Sequence, residues 1–313
     1  MKTIYLLLLI VYFGGLLFLY VNLPEKEIQE EGSFNFYSCY EYDCAQIFLD
    51  LNNLSSNKKC AFYDLDEPRM LTYFKEDDAN LLLYKDNNDY NLGTSVKING
   101  LMHHKFCVFD DYLTLTGSWN PTLRGTELND NYVALINSKI VARKFLDEYI
   151  RLDNKVEQGT KSLKMKLSNM SVTLCFSPRN NCGDLIVDEI NKANTSVKML
   201  AFSFTDKSIA DALIDAQKKG VNVNVMFEKT RISKYSMFYY LNNSNVSVCL
   251  DNNPYTMHEK LILIDNTSLI VGSYNPSTSA EDNNDENLVI INGISKDIFD
   301  KVDKEILRLW QVA

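Results

Sequence analysis

Two copies of one stretch decide how this chain folds: MHHKFCVFD at residues 102–110 and MHEKLILID at residues 257–265. Six residues after the final Asp of each copy follows a second short run, GSWN at residues 117–120 and GSYN at residues 272–275. One constant offset of 155 residues separates both the stretches and the short runs. Two copies in phase at a domain-sized spacing indicate an internal duplication.

The shared pattern is HxK, four residues, Asp, six residues and GSxN, and it resembles the HKD motif of the phospholipase D superfamily. All three histidines of the chain, His103, His104 and His258, lie inside it. The resemblance implies an α/β fold of two phospholipase D-like sandwich lobes, related by a pseudo-twofold axis. It also implies a monomer that forms an intramolecular pseudo-dimer around one site, without a cofactor or a metal ion.

Composition fits a folded protein that carries no general attraction for polyanions. The chain has 313 residues, of which 46% are hydrophobic and 12% aromatic, enough for packed cores. It has 32 basic and 41 acidic residues, and its net charge is −9. Affinity for nucleic acid or anionic lipid must therefore come from local positive charge.

The amino-terminal segment predicts a membrane anchor. Residues 4–21 form an uncharged run of 18, which is just long enough to cross a bilayer. We expect residues 1–23 to be an uncleaved single-pass transmembrane helix, with Lys2 on the cytoplasmic side and the catalytic part extracytoplasmic. A removable signal peptide is the alternative, although no small-x-small cleavage site follows. The acidic residues 24–33 are interpreted as a stalk.

Strand-like and helix-like patterns recur in the same order in both halves, which indicates an α/β sandwich. The boundaries we expect are 34–156 for the first lobe, 157–170 for a linker and 171–313 for the second lobe. Ala61-Phe62 is paired with Ala201-Phe202 as the equivalent strand. The first lobe is about 15 residues shorter before its histidine, because the second lobe has a predicted helix near 209–219 and a strand at 221–227 in that space.

Seven cysteines leave at least one thiol unpaired within the chain. Cys60, Cys107 and Cys249 lie in apolar runs and are interpreted as small buried side chains. Polar, turn-like sequence surrounds Cys39, Cys44 and Cys182. An extracytoplasmic location permits a disulfide there, and Cys39 with Cys44 is the first pair to test.

Cleavage of a phosphodiester needs a nucleophile, a proton for the leaving oxygen and positive charge near the phosphoryl oxygens. His103 and His258 are suited to the first two roles. The resemblance makes His103 the nucleophile, but symmetry leaves His258 as an alternative. Lys105 and Lys260 share a strand face with their histidines and are expected to bind phosphate oxygens.

Further motif residues are expected to donate hydrogen bonds or to hold turns. The predicted donors are Asn120, Asn275, Ser118 and Ser273. Gly117 and Gly272 form the turns of the motif. Asp110 and Asp265, at the ends of their strands, are interpreted as structural residues that cap a turn or form an ion pair.

In the superfamily a carboxylate downstream of GSxN fixes the orientation of a catalytic histidine. Glu286 is the candidate in the second lobe and Asp130 the candidate in the first, with Glu127 as a less well aligned alternative. Trp119 and Tyr274 are expected to pack rather than stack on substrate, and His104 to point away from the site. The segment from Arg231 to Tyr240 predicts either a rim of the cleft or a core helix.

Three functions fit the sequence. The first is a membrane-anchored phospholipase D-type phosphodiesterase acting on a phospholipid through a phosphohistidine. The second is a metal-independent endonuclease of the same superfamily that cleaves DNA or RNA. The third is an inactive phosphate-binding membrane protein, which the intact His, Lys and Asn of both copies disfavour.

Overall fold

Residues 28–312 are described by a computed structural model, and they form two mixed sheets with helices between and outside them. The predicted anchor at 1–23 and the first part of the stalk lie outside the described residues. Within residues 28–312, no helix has the length and apolar character needed to cross a bilayer.

Sixteen strands and nine α-helices are formed by the described part of the chain. The strands are β1 (Gln29–Glu30), β2 (Ser33–Ser38), β3 (Lys58–Phe62), β4 (Leu81–Tyr84), β5 (Thr94–Val96), β6 (Lys105–Phe109), β7 (Leu113–Gly117), β8 (Tyr132–Asn137), β9 (Leu163–Leu167), β10 (Met170–Ser177), β11 (Ser196–Ala201), β12 (Asn222–Phe227), β13 (Ser247–Leu250), β14 (Lys260–Ile264), β15 (Ser268–Gly272) and β16 (Glu286–Asn292). The helices are α1 (Cys44–Asn53), α2 (Pro68–Glu76), α3 (Leu123–Glu127), α4 (Lys139–Asp153), α5 (Cys182–Asn191), α6 (Lys207–Lys218), α7 (Phe238–Asn242), α8 (Thr278–Asp282) and α9 (Lys296–Gln311).

The two sheets repeat one strand arrangement. The first has the order β2-β8-β7-β6-β3-β4-β5, and the second has β1-β9-β10-β16-β15-β14-β11-β12-β13. The motif strands β6 and β14 occupy equivalent inner positions, each between two antiparallel neighbours. Each lobe is therefore an α/β unit with its motif on a central strand, as the sequence predicts.

Alternation along the motif strands separates a shared core from two outer cores. Phe106 and Val108 of β6 lie in the same hydrophobic cluster as Leu261 and Leu263 of β14. Helices α4 and α9 contribute to this central cluster, while the intervening strand residues face the outer helices of their own lobes. The halves are thus joined by a common apolar core.

The predicted stalk and linker both prove to contain strands. Gln29–Glu30 of the stalk pairs in parallel with Leu163–Leu167, which lies inside the predicted linker. The linker strand pairs in turn with β10. Leu163 and Met165 alternate with two lysines, and these apolar side chains are buried in the central core, which makes the segment part of the second sheet.

Three disulfides are present: Cys39 with Cys44, Cys60 with Cys107, and Cys175 with Cys182. The first confirms the predicted pair. The interpretation of Cys60 and Cys107 as separate buried thiols is wrong, because these residues are direct cross-strand neighbours on β3 and β6. Cys249 is the free cysteine of the described residues.

The motif aspartates hold the start of an adjacent strand, which confirms their structural role. Asp110 accepts hydrogen bonds from the backbone N–H groups of Ser56 and Asn57, at 2.9 Å each. Asp265 accepts from three successive backbone N–H groups at residues 194–196, and these bonds lower its pKa to about 2 against the effect of burial. Both aspartates have positive φ, as the first residue of a two-residue hairpin turn requires.

Glu30 caps the first turn of α4, and we expect Glu30→Gln to destabilise the protein by about 1 kcal/mol. Its carboxylate accepts hydrogen bonds from the backbone N–H groups of Lys139 and Ile140 and from the Ser138 hydroxyl. Chemical denaturation of the full chain in detergent measures the change. Glu76→Gln, at an exposed position, is the matched control. Equal stability of both variants would show that residues 28–33 are only a tether.

Candidate active site

Each motif strand begins against the other half of the chain. The backbone N–H of His103 donates to the carbonyl of Asp285, and that of His258 donates to the carbonyl of Asp130, both at 2.9 Å. The preceding residues form two matching parallel β-bridges, Met102 with Asp285 and Met257 with Asp130. The position of each histidine therefore depends on the opposite lobe.

Both histidines open into one cavity of about 620 Å³. Asn120 and Asn275 line the same cavity, so the structure brings the two predicted histidines and both asparagines together. The carbonyl oxygens of the two asparagine side chains are buried and have no hydrogen-bond partner within residues 28–312. Because both side chains line the cavity, their amide groups can contact a ligand there.

An aromatic ring packs edge-on against each histidine. Tyr63 lies 4.8 Å from the His103 ring and Phe202 lies 4.5 Å from the His258 ring, between centroids. The sequence analysis missed both residues. Its pairing of Ala61-Phe62 with Ala201-Phe202 is wrong by one position, because the strand register opposes Phe62 to Lys105 and Ala201 to Lys260.

The motif lysines lie beneath these rings and are almost fully buried, at 1% exposure for Lys105 and 5% for Lys260. Each ammonium donates to the backbone carbonyl of its own histidine at 2.8 Å. Lys105 is 5.1 Å from the centroid of Tyr63, and Lys260 is 4.7 Å from that of Phe202. The two amino groups are therefore held beside the two histidines.

The partners of the two histidine rings differ. His103 Nδ1 lies 2.8 Å from Glu286 Oε2, as predicted. His258 Nδ1 lies 3.0 Å from Asn131 Oδ1 and 3.1 Å from the Ser118 carbonyl. A carboxyl group orients one ring and a neutral amide orients the other.

Asp130 is not the partner of His258, and this prediction is wrong. Its carboxylate accepts from Arg308 at 2.6 Å and from Asn253 at 2.5 Å, and only its backbone carbonyl contacts His258. The constant offset of 155 residues pairs Glu286 with Asn131. That offset was the available signal, and the search for a carboxylate obscured it. Glu127 does not line the cavity either.

The serines and glycines of the motif hold the turn that carries each asparagine. Ser118 Oγ donates to Asn131 Oδ1 at 3.0 Å and accepts from the Tyr132 N–H, and Ser273 Oγ accepts from the Asn287 N–H. Gly117 and Gly272 have φ of 148° and 138°, and a Cβ at either would lie within 2.4 Å of a carbonyl oxygen. Ser118 and Ser273 thus support Asn131 and Glu286, the partners of the two histidine rings. The expectation that these serines donate hydrogen bonds to the substrate is not supported.

Burial dominates the electrostatics of the site. Desolvation, together with the nearby lysine charges, holds the pKa of both His103 and His258 well below the ordinary value. Burial lowers the pKa of Lys105 to about 7 and that of Lys260 well below its usual range. Burial also raises the pKa of Glu286 to about 7, opposed by the charge of Lys105. A bound anion would restore charge to both lysines.

Behind the first motif lies a buried charged network. His104, which faces away from the cavity as predicted, contacts Glu148 at 3.0 Å, and Glu148 bonds to Arg151 at 2.7 Å. Arg151 also reaches Asp285 at 2.7 Å. This chain of contacts ties α4 to the residue that anchors His103.

The second motif repeats the network with one change. Glu259, the equivalent of His104, faces Glu305, and burial together with this second carboxyl raises the pKa of Glu259 well above its usual value. Arg308 joins Glu305 to Asp130, at 2.5 and 2.6 Å. Asp130 therefore has the same anchoring role as Asp285.

The aromatic residues of the motif are packing residues, as expected: Trp119 is 1% exposed and Tyr274 is 2% exposed. The segment after β12 combines both predicted roles. Arg231 lines the cavity, whereas Phe238 packs against the outer core of the second lobe. Tyr235 and Tyr239 are exposed. Among the described residues, no group of three His, Cys, Asp or Glu side chains is placed to hold a metal ion.

Comparison with known proteins connects this geometry to a family. The family described as "Cardiolipin synthase, PLD-like domain" matches residues 55–152 and 186–310. A phospholipase D of Rickettsia prowazekii is 37% identical over 127 residues, which cover 40% of this chain and 62% of that protein. A mitochondrial cardiolipin hydrolase of Danio rerio is 28% identical over 130 residues, 41% of this chain and 56% of that protein.

A solved structure extends the likeness over both lobes. The phosphatidylserine synthase of Haemophilus influenzae superposes with a TM-score of 0.68 at 15% identity, covering 89% of this chain and 86% of that one. At this identity the likeness concerns the fold alone. The chain spans about three fifths of the length of the curated rickettsial relative and somewhat less of the cardiolipin hydrolase.

Because Asn131 and not Asp130 contacts the His258 ring, we expect Asn131→Asp to raise the pKa of His258 by about one unit or more. A carboxylate at that position favours the imidazolium, whereas the native amide does not. NMR titration of the histidine ring protons gives the pKa directly, and the chain has only three histidines to assign. Asp130→Asn is the control and should leave the pKa of His258 nearly unchanged. The opposite pattern would restore Asp130 as the partner.

Proposed function

Because this chain belongs to the phospholipase D superfamily, we propose that it is a phosphodiesterase of the phospholipase D type, which hydrolyses or transfers a phospholipid head group through a phosphohistidine and without a metal ion. The observation that carries the proposal is the meeting of His103 and His258 at one cavity, each above its own buried lysine. These groups match the needs of phosphodiester cleavage: nucleophile, proton donor and positive charge.

The unequal partners of the two rings favour His103 as the nucleophile. Its Nδ1–H is placed to donate to the Glu286 carboxylate, which leaves the lone pair of Nε2 free for attack. Attack forms the N–P bond as the P–O bond to the leaving group breaks, and His258 supplies the proton to the leaving oxygen. Water then attacks phosphorus, His258 takes a proton from it, and the N–P bond breaks.

The lysines and asparagines stabilise the charge that develops on phosphorus. Lys105 and Lys260 are already desolvated, so an anionic phosphate gains strongly from them. A bound phosphate also favours the imidazolium form of His258, as a general acid requires. The amide groups of Asn120 and Asn275 add hydrogen bonds without adding charge.

A pseudo-twofold relation between the lobes is supported by the paired contacts around the site. The bonds of His103 to Asp285 and of His258 to Asp130 are one example, and the Arg151 and Arg308 networks are another. On this basis the protein acts as a monomer with an intramolecular pseudo-dimer, because each lobe supplies half of one site.

A phospholipid is the substrate we favour, because the predicted anchor at residues 4–21 would hold the cavity beside a bilayer and the net charge of −9 gives no general attraction for nucleic acid. An extracytoplasmic location of residues 24–313 is part of the proposal. Three disulfides support it, since disulfides persist in oxidising compartments.

We expect His103→Asn and His258→Asn each to lower the rate of phosphodiester cleavage by at least about 10³-fold, because each removes a group that forms or breaks a bond. The full chain in detergent micelles is tested in EDTA on phosphatidylglycerol, cardiolipin, single-stranded DNA and RNA. In a second experiment the scissile phosphate of the substrate carries ³²P. The label should become attached to the wild-type protein but not to the His103→Asn variant.

The controls separate the possible functions. His104→Asn changes the third histidine, which faces away from the cavity, and should still form the labelled intermediate. Cleavage of nucleic acid without cleavage of lipid would replace the proposal with the endonuclease function. Inactivity on every diester would favour the phosphate-binding function, and full inhibition by EDTA would contradict the metal-free mechanism.

The dependence of kcat/KM on pH should be bell-shaped with a maximum below pH 7. Glu286, whose pKa is raised by burial to about 7, must lose its proton to accept from His103, so activity rises with pH on the acid side. On the alkaline side activity falls, because two groups must keep their protons: His258, whose pKa is held by burial well below its usual value, and Lys105, whose pKa is lowered by burial to about 7. Initial rates between pH 5 and pH 9 measure both limbs. The residual activity of Glu286→Gln should lack the acid limb, and a flat wild-type profile would contradict these assignments.

A further inference from the structure

The two sides of the cavity differ in charge, although the motifs that form its floor are duplicated. The first lobe's GSxN turn lies beside His258, because the Ser118 carbonyl contacts the His258 ring at 3.1 Å. The residues that follow this turn therefore belong to the His258 side. By the same relation, the turn at Ser273 and the residues after it belong to the His103 side.

Two arginines line the His258 side. Arg124 follows the first lobe's turn and lines the cavity. Arg231 also lines the cavity and stacks on Phe202 at 4.5 Å, and Phe202 in turn packs against the His258 ring. The charge of Arg231 reaches the floor of the site, since it contributes to the lowered pKa of Lys260.

Among the described residues that line the cavity, none on the His103 side carries a matching positive charge. The equivalent of Arg124 is Ser279, by the offset of 155 residues. The equivalent of Arg231 is Asn87, because each ends a short 3-10 turn that follows the equivalent strand, β12 or β4, and each contacts the aromatic residue beside the histidine. Asp64, next to Tyr63, adds a carboxyl group to the cavity wall on this side.

Arg231 is held by a structure that the first lobe lacks. The fully buried Glu228 accepts from the N–H and hydroxyl of Thr230 through one carboxylate oxygen, at 2.9 and 2.6 Å. Its other oxygen accepts from the N–H of Met257 at 2.7 Å. The turn that carries Arg231 is therefore bonded directly to the residue before His258. In the first lobe the corresponding turn has no side-chain cap.

Neither guanidinium is neutralised by the protein. Within residues 28–312 no carboxylate forms an ion pair with Arg124 or Arg231, whereas each of the other five arginines forms one. Both are exposed to the cavity solvent. Two arginines without an ion pair on the same side of a cavity are suited to a phosphate group, which accepts several charge-assisted hydrogen bonds.

We propose that Arg124 and Arg231 bind a second phosphate on the leaving group, so that the preferred substrate is a phospholipid whose head-group alcohol is itself phosphorylated. This inference rests on the proposed function, in which His103 attacks and His258 protonates the leaving oxygen. The leaving group then lies on the His258 side, where the two arginines are. On the His103 side, Asp64 and Ser279 line the cavity and supply no positive charge for a second phosphate.

The test compares two lipids that differ by one phosphate, phosphatidylglycerophosphate and phosphatidylglycerol, with the full chain in mixed micelles. Wild type should show a higher kcat/KM for the phosphorylated lipid. Arg231→Asn and Arg124→Ser install the residues that the other half has at these positions. Each should reduce kcat/KM for phosphatidylglycerophosphate by about 10- to 100-fold, largely through KM, and change that for phosphatidylglycerol by less than about threefold.

The control is Lys234→Gln, which removes an exposed positive charge from the same segment but not from the cavity wall. It should leave the preference between the two lipids unchanged. Equal losses on both lipids in the arginine variants, or no wild-type preference, would overturn the inference. Bis(4-nitrophenyl) phosphate tests the proposed function separately, since its leaving group has no second phosphate. Inactivity on this diester and on both lipids would mean that the proposed function itself fails.

Discussion

The site depends on a pair of backbone hydrogen bonds that cross between the lobes. The N–H of each catalytic-motif histidine donates to a carbonyl on the opposite half, at Asp285 for His103 and at Asp130 for His258. The ring of each histidine is also oriented by a side chain of the opposite half. Since neither lobe supplies the partners of its own histidine, neither lobe alone contains a complete site.

Two buried ionic networks keep these crossing contacts in place. Arg151 and Arg308 hold the carboxylates of Asp285 and Asp130, whose carbonyls receive the histidine N–H groups. Glu148 and Glu305 complete the pairing of each arginine. Buried charges of this kind contribute little net stability but are costly to break, so they fix geometry more than they stabilise the fold.

Much of this arrangement could be predicted from the sequence, because the duplicated motif is specific and strand alternation follows from it. The convergence of His103 and His258 followed from the family resemblance, whereas the orientation of His104 and the turn role of Asp110 required only spacing and period. The error at Asp130 had another origin. A carboxylate stands beside only one of the two histidines, and the offset of 155 residues, which points to Asn131, is the better guide to the other partner.

Other features depended on tertiary contacts that local sequence does not encode. Residues 29–30 and 163–167 look like connecting segments, and they become strands because 163–167 pair with β10 and 29–30 pair with 166–167. Tyr63 and Phe202 are different amino acids, so only the strand register shows that they occupy equivalent positions. The disulfide between Cys60 and Cys107 likewise follows from two strands that lie 47 residues apart in sequence.

The covalent connection of the two lobes has a consequence for how such a site can change. In a dimer of identical subunits, every substitution appears on both sides of the axis at once. Here Glu286 and Asn131 occupy equivalent places and differ, as do Arg231 and Asn87. A duplicated single chain can therefore mutate one half while retaining the other, and two histidines that began as copies can acquire separate tasks.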